Sequence, residues 1–222
     1  MRQSEPRVRG PLDLDVIMKK EFQELAQDYG EIILDSELPE GLLKEIPFLK
    51  SIYNLAKITS SVPEIIFAAK VRRFLGSAEM YKKKNQLRKS IELDTKKKEW
   101  LIEVATLSLN HSDRLEKCDL LGVIFISFLD GFIDEEQYGS LFHAVLQSDL
   151  SILKAFVKEA REAIKTKKKF LKFGYESLIA GNLVMASGVA SQDGSGSPTI
   201  PTKIGECFVR VVDEYFNEDQ SW

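Results

Sequence analysis

"FLDGFIDEEQYGSLF" spans residues 128–142, and the fold turns on how it is read. Asp130, Gly131 and Ile133, followed by Asp134, Glu135 and Glu136, resemble the back half of a calcium-binding EF-hand loop. Such a loop takes oxygen ligands from its positions 1, 3 and 5 and a bidentate Glu at 12, around an invariant glycine. With Gly131 as that glycine, Ile126 and Phe128 fall at positions 1 and 3, Asp130 at 5 and Gln137 at 12. Two ligands become large apolar side chains, and the bidentate carboxylate becomes an amide. A hard cation that wants six to eight oxygens is not held by so few donors. A helical reading uses every residue instead. Gly131 stops one helix. Asp134 caps the next, Gln137 completes a capping box, and Ile133 and Tyr138 take the hydrophobic-staple positions. The stretch predicts a corner between two helices, with no metal site.

Upstream of this corner, Leu115, Cys118, Leu121, Phe125 and Leu129 form an apolar stripe, and the segment is nearly apolar all round by its end. That pattern predicts a central, buried helix. Asp113 and Glu116 stand at capping-box spacing at its start. Downstream, residues 134–147 continue as a helix, and a longer one follows with Leu150, Leu153, Phe156, Val157 and Ala160 inside.

Toward the N-terminus, Met18, Phe22, Leu25 and Tyr29 mark an amphipathic helix, and "FLKSIYNLAKI" (48–58) marks another. Ser61, Pro63 and Glu64 signal a helix start, and Gly76 reads as its stop. Residues 77–100 then read as a short helix, a bend and the start of a helix with Leu101, Val104, Ala105 and Leu109 on one face. The first 170 residues therefore predict seven or eight helices and no strand.

The last fifty residues change character. A short helix ending near Gly181, a strand in "NLVMASGVA", a Gly/Ser tip, an extended return in "TIPTKIG" and a final helix follow in order. That is the order of the second half of a winged-helix unit, with Thr202–Gly205 as the turn into the closing helix. The fold class is mainly α: a multi-helix bundle over residues 12–170 with a small winged-helix-like α+β unit over 171–217. Residues 1–11 and 218–222 read as tails.

At 222 residues the chain is long enough for a proper core, and its net charge is −3. The charge is segmented. Residues 61–100 carry 11 Lys/Arg against 5 Asp/Glu, and 101–150 carry 2 against 9. Residues 151–174 carry 8 against 2, and 175–222 carry 2 against 7. Such blocks pair within one fold or form solvated faces. Cys118 and Cys207 have no metal-ligand spacing and read as free buried thiols in a reducing compartment. The first residues carry no apolar run of a signal peptide, and "LLGVIFISFL" (120–129) is about half of a membrane span. A cytoplasmic location is expected, with no membrane partner.

Motifs for catalysis are missing. His111, expected in an N-terminal turn, and His143, inside a helix, stand alone, "GSGSP" lacks the lysine of a phosphate-binding loop, and no nucleophile elbow or zinc-protease motif occurs. No cofactor and no catalytic residue are assigned, and an enzyme would have to gather its groups from distant segments. For nucleic acid, two Lys-rich stretches interleaved with aromatics are the candidates: "YKKKNQLRK" with "TKKKEW", and "KTKKKFLK". Nonspecific phosphate contacts would fall to Lys82, Lys83, Lys84, Arg88, Lys167, Lys168 and Lys169. The winged-helix-like segment argues the other way. Neither "GYESLIAGN" nor the tip "SQDGSGSP" has a Lys or Arg, so that unit suits protein contact.

The runs "IPFLKSIYNLAKITSSVPEIIFAAKVRRFLG" and "KCDLLGVIFISFLDGFIDEEQYGSLFHAVLQSDLSILKAF", with the tail, resemble a group of uncharacterised bacterial proteins over about residues 40–215. The layout is also similar to the abortive-infection alpha proteins of phage defence. The resemblance implies a bacterial or prophage origin and a role in phage–host conflict, and the missing catalytic motifs favour a non-enzymatic one. The expected partner is another protein, with nucleic acid as the alternative.

Overall fold

A computed structural model describes residues 40–57, 61–85, 93–166, 176–186 and 199–215. Within them lie α1 (Glu40–Glu45), α2 (Leu49–Leu55), α3 (Val62–Asn85), α4 (Thr95–His111), α5 (Leu115–Leu129), α6 (Glu135–Gln147) and α7 (Leu150–Thr166). Then come α8 (Glu176–Ala180), β1 (Val184–Ala186), β2 (Thr199–Pro201) and α9 (Lys203–Tyr215). The protein is mainly helical, with a small two-stranded antiparallel sheet that pairs Val184 with Pro201 and Ala186 with Thr199. The helix expected around residues 14–34 lies outside the described residues.

The corner at 128–142 is helix to helix. Gly131 adopts φ +71°, a left-handed conformation that glycine enters without a Cβ penalty, and it ends α5. Asp134 accepts from the Gln137 backbone N–H at 2.8 Å, and the Gln137 side chain accepts from the Asp134 N–H at 3.0 Å. Ile133 and Tyr138 are both buried, as the staple requires.

As its apolar run requires, α5 forms the centre. Every residue from Lys117 to Leu129 except Asp119 is buried. Its main neighbour is α3, and the two approach so closely that a Cβ on Gly122 would stand 2.2 Å from the Phe74 carbonyl oxygen. On the other side, α6 and the C-terminal unit close the core. Phe156 of α7 stacks on Phe208 of α9, and Gly181 lies against Ala144 of α6.

Three sequence expectations are corrected. Gly76 does not end a helix: α3 runs on to Asn85, because Phe74, Leu75, Ala78 and Tyr81 continue one buried face. A helix-interior glycine costs about 1 kcal/mol relative to alanine, less than burying those side chains returns. Asp113 does not cap α5. Arg114 stands at the N-cap without a side-chain bond, and Asp113 pairs with Lys117 at 2.7 Å instead. His111 closes α4 rather than opening a turn, with Nδ1 2.7 Å from the Leu107 carbonyl oxygen.

Candidate functional site

The groups that could carry chemistry inside the bundle bind one another across helices. Asp119 of α5 receives both the Nε and an Nη of Arg73, and Ser77 Oγ donates to it at 2.8 Å. Burial raises the Asp119 carboxyl, and the Arg73 and Ser77 contacts pull it back only in part. Burial lowers Arg73, but its hydrogen bond and attraction to Asp119 outweigh that and leave it raised. The desolvation falls mainly on the carboxylate, which is the more enclosed partner. The trio crosses between the two helices and ties α3 to α5.

Beside it, Cys118 points its thiol at Ser112 Oγ and the Arg114 carbonyl, both at 3.6 Å. Burial pushes that thiol up to about 11, so it stays protonated and unreactive near neutral pH. Lys117, buried on α5, reaches the Leu146 carbonyl in the last turn of α6 at 3.4 Å. That carbonyl has no partner inside its own helix, so the lysine caps it. Cys118 and Cys207 are both free and buried, as expected. No cluster of three or more His, Cys, Asp or Glu able to hold a metal occurs among the described residues. Nor is any described helix long and apolar enough to cross a membrane.

Tyr138 sits within a ring cluster formed by Trp100, Phe125, Phe128 and Phe142, at 4.4–6.3 Å between centroids. Its hydroxyl is buried and has no hydrogen-bond partner among the described residues, and burial raises it well above the usual phenol range. An unmet buried hydroxyl carries a desolvation penalty of about 1–3 kcal/mol. Tyr138→Phe is therefore expected to raise stability by about 1 kcal/mol, read from the urea midpoint at unchanged slope. A loss of stability would show that the hydroxyl has a partner.

The charge blocks pair in sequence order. Arg73–Asp119 and Lys97–Glu135 join the 61–100 block to the 101–150 block, and Arg161–Asp213 joins 151–174 to 175–222. Lys97 also lies 5.5 Å over the Phe128 ring. Of the lysines expected to touch phosphate, residues 82–84 stand in the last turn of α3. Arg88, Lys167, Lys168 and Lys169 lie outside the described residues.

Within the C-terminal unit, Thr202 ties several elements together. Thr202 Oγ1 donates to the Asn182 carbonyl and accepts from the Gly205 N–H at 3.0 Å, while the Thr202 N–H meets the Leu183 carbonyl at 3.0 Å. Thr202 thereby caps α9 and fixes β2 to the end of α8. Asn182, at φ +57°, makes the turn between α8 and β1. The α8–β1 corner exposes Glu176, Ile179, Ala180, Asn182, Met185 and Ala186. Sequence reasoning located this unit but gave no sign of the exposed Ile179 and Met185, because their alternation reads as core. No protein-family model matches the chain, and neither a curated protein nor a solved structure does.

Proposed function

We propose that the chain is a non-enzymatic cytoplasmic protein that acts by binding another protein, through the α8–β1 corner of a winged-helix-like C-terminal unit. One observation carries this reading. The exposed residues of 176–186 include two large apolar side chains, Ile179 at 46% and Met185 at 47% exposure, beside Glu176 and without any Lys or Arg. A surface for phosphates wants cations, whereas apolar side chains set among polar ones suit a protein contact. The order α8, β1, β2, α9 supports the winged-helix likeness. The use of Ser77, Lys117 and Asp119 in helix-to-helix bonds supports a role without catalysis. The likeness to the abortive-infection alpha proteins supports placing the contact in phage–host conflict.

The test is a photo-crosslinking residue at position 185, with position 107 as an exposed control, in bacterial cells challenged with phage. Position 185 should trap a discrete protein species that position 107 does not, and Ile179→Asp should abolish the trapping. Ile179→Asp should shift stability by no more than about 0.5 kcal/mol, as surface changes do. Equal trapping at both positions, or crosslinks to nucleic acid at 185, would rule the reading out.

A further inference from the structure

We infer that Met185 is an oxidation site whose sulfoxide closes the α8–β1 corner to its partner, the co-reactant being hydrogen peroxide or another hydroperoxide. The inference rests on the protein-binding reading of that corner and adds its regulation. Among the described residues, sulfur is carried by Met80, Cys118, Met185 and Cys207. Both thiols are fully enclosed, and burial raises each of them, which leaves little of the reactive thiolate. The two thioethers are the reverse, at 65% exposure for Met80 and 47% for Met185. A thioether needs no deprotonation to react, so a peroxide arriving from solvent meets these two sulfurs first.

Of the two, only Met185 stands in the proposed contact. It is the middle residue of β1, it pairs with Ile200 of β2, and the Val184 before it is buried. That pairing and the Thr202 bonds to Asn182 and Leu183 hold the backbone, so a change at the sulfur alters the surface and leaves the fold in place. The oxidation transfers two electrons. A lone pair on Sδ attacks one peroxide oxygen, the O–O bond breaks as the S–O bond forms, and the other oxygen leaves with the protons as water. A polar S–O acceptor then stands where an apolar chain had been. The corner has just Ile179 and Met185 as large exposed apolar side chains among its described residues, so one sulfoxide takes away one of two anchors. Burying that S–O group without a donor opposite it opposes association.

The step is reversible. A methionine sulfoxide reductase uses two thiols to break the S–O bond: the oxygen leaves as water, the thioether is restored, and the thiols join as a disulfide. The corner thus opens and closes with the supply of peroxide. The unbound chain is the form that reacts, because a seated partner covers the sulfur.

The experiment uses the purified full chain with a photo-crosslinking residue at the exposed position 180. Samples are treated with hydrogen peroxide, quenched with catalase and irradiated in extract from phage-challenged bacteria, each against its own untreated control. Peptide mass spectrometry should find an added oxygen on Met185, and trapping should fall by about tenfold, as when one anchor of an interface is lost. A sulfoxide reductase with dithiothreitol should restore it. In Met185→Leu, peroxide should not lower trapping further, whatever its starting level, while Met80→Leu should stay as sensitive as the parent. The melting temperature should be the same before and after treatment. No trapping before treatment would overturn the protein-binding reading and this inference with it. Trapping that persists although Met185 is oxidised would overturn the inference alone. So would a Met185→Leu chain that is still sensitive, a Met80→Leu chain that is not, a lowered melting temperature, or a Met185 that peroxide leaves intact.

Discussion

Gly122→Ala is expected to lower the unfolding free energy by about 3 kcal/mol, at the upper end for adding one methyl group to a packed interior. The methyl would sit 2.2 Å from the Phe74 carbonyl oxygen and 3.1 Å from its carbon. Both are backbone atoms of a long helix, so no rotamer change can make room. The two helices must move apart, and the contacts around them loosen together: the Arg73–Asp119 pair, the Ser77 bond and the Phe74–Phe125 rings at 5.2 Å. For a chain of this size the melting temperature should fall by roughly 10 °C. Thermal unfolding followed by circular dichroism measures it. A loss below about 1 kcal/mol would mean that α3 and α5 do not approach so closely.

Phe125→Ala should be costlier still, about 4 kcal/mol. Phe125 is fully buried and touches rings from three other parts of the chain: Phe48 at 6.4 Å, Phe74 at 5.2 Å and Tyr138 at 6.3 Å. Removing it takes away the buried ring and leaves a cavity whose walls belong to different helices and cannot collapse independently. Phe125→Leu keeps most of the volume and should lose about 1.5 kcal/mol or less. Domains are stable by only about 5–15 kcal/mol, so the alanine variant should be measurably populated in unfolded form at modest urea concentrations. Equal urea midpoints for the two variants would contradict the central position of this ring.

What the sequence revealed, and what it hid, follows from the range of the interactions. The buried α5 was legible because nine apolar side chains between Cys118 and Leu129 carry the signal within one helix. The corner at 128–142 was legible because a capping box and a staple are contacts between near neighbours. Gly76 misled because a glycine's helix-ending tendency is local, whereas the face that keeps α3 intact packs on residues far along the chain. Asp113 misled because a capping residue and an i,i+4 ion pair use almost the same spacing. At the candidate surfaces, the aromatics among the lysines looked displayed. Only the fold turns Tyr81 and Trp100 inward, and no local pattern records that. The tie between Arg73 and Asp119 crosses 46 residues and leaves no trace in either segment.

The burial of α5 on every side has a consequence for how the chain is made. Synthesis runs from the N-terminus, so α3 and α4 are available when α5 emerges, but α6, α7 and the closing α9 are not. Until those later helices arrive, a run of ten apolar or small residues, 120–129, lacks part of its cover. Transiently exposed surface of that kind is what chaperones hold and what drives aggregation. A nascent chain stalled once α5 has cleared the ribosome, but before the later helices have, should thus be a chaperone client, and release from the chaperone should await the C-terminal helices. The helix at the centre of the finished protein is thus a hazard to the unfinished one.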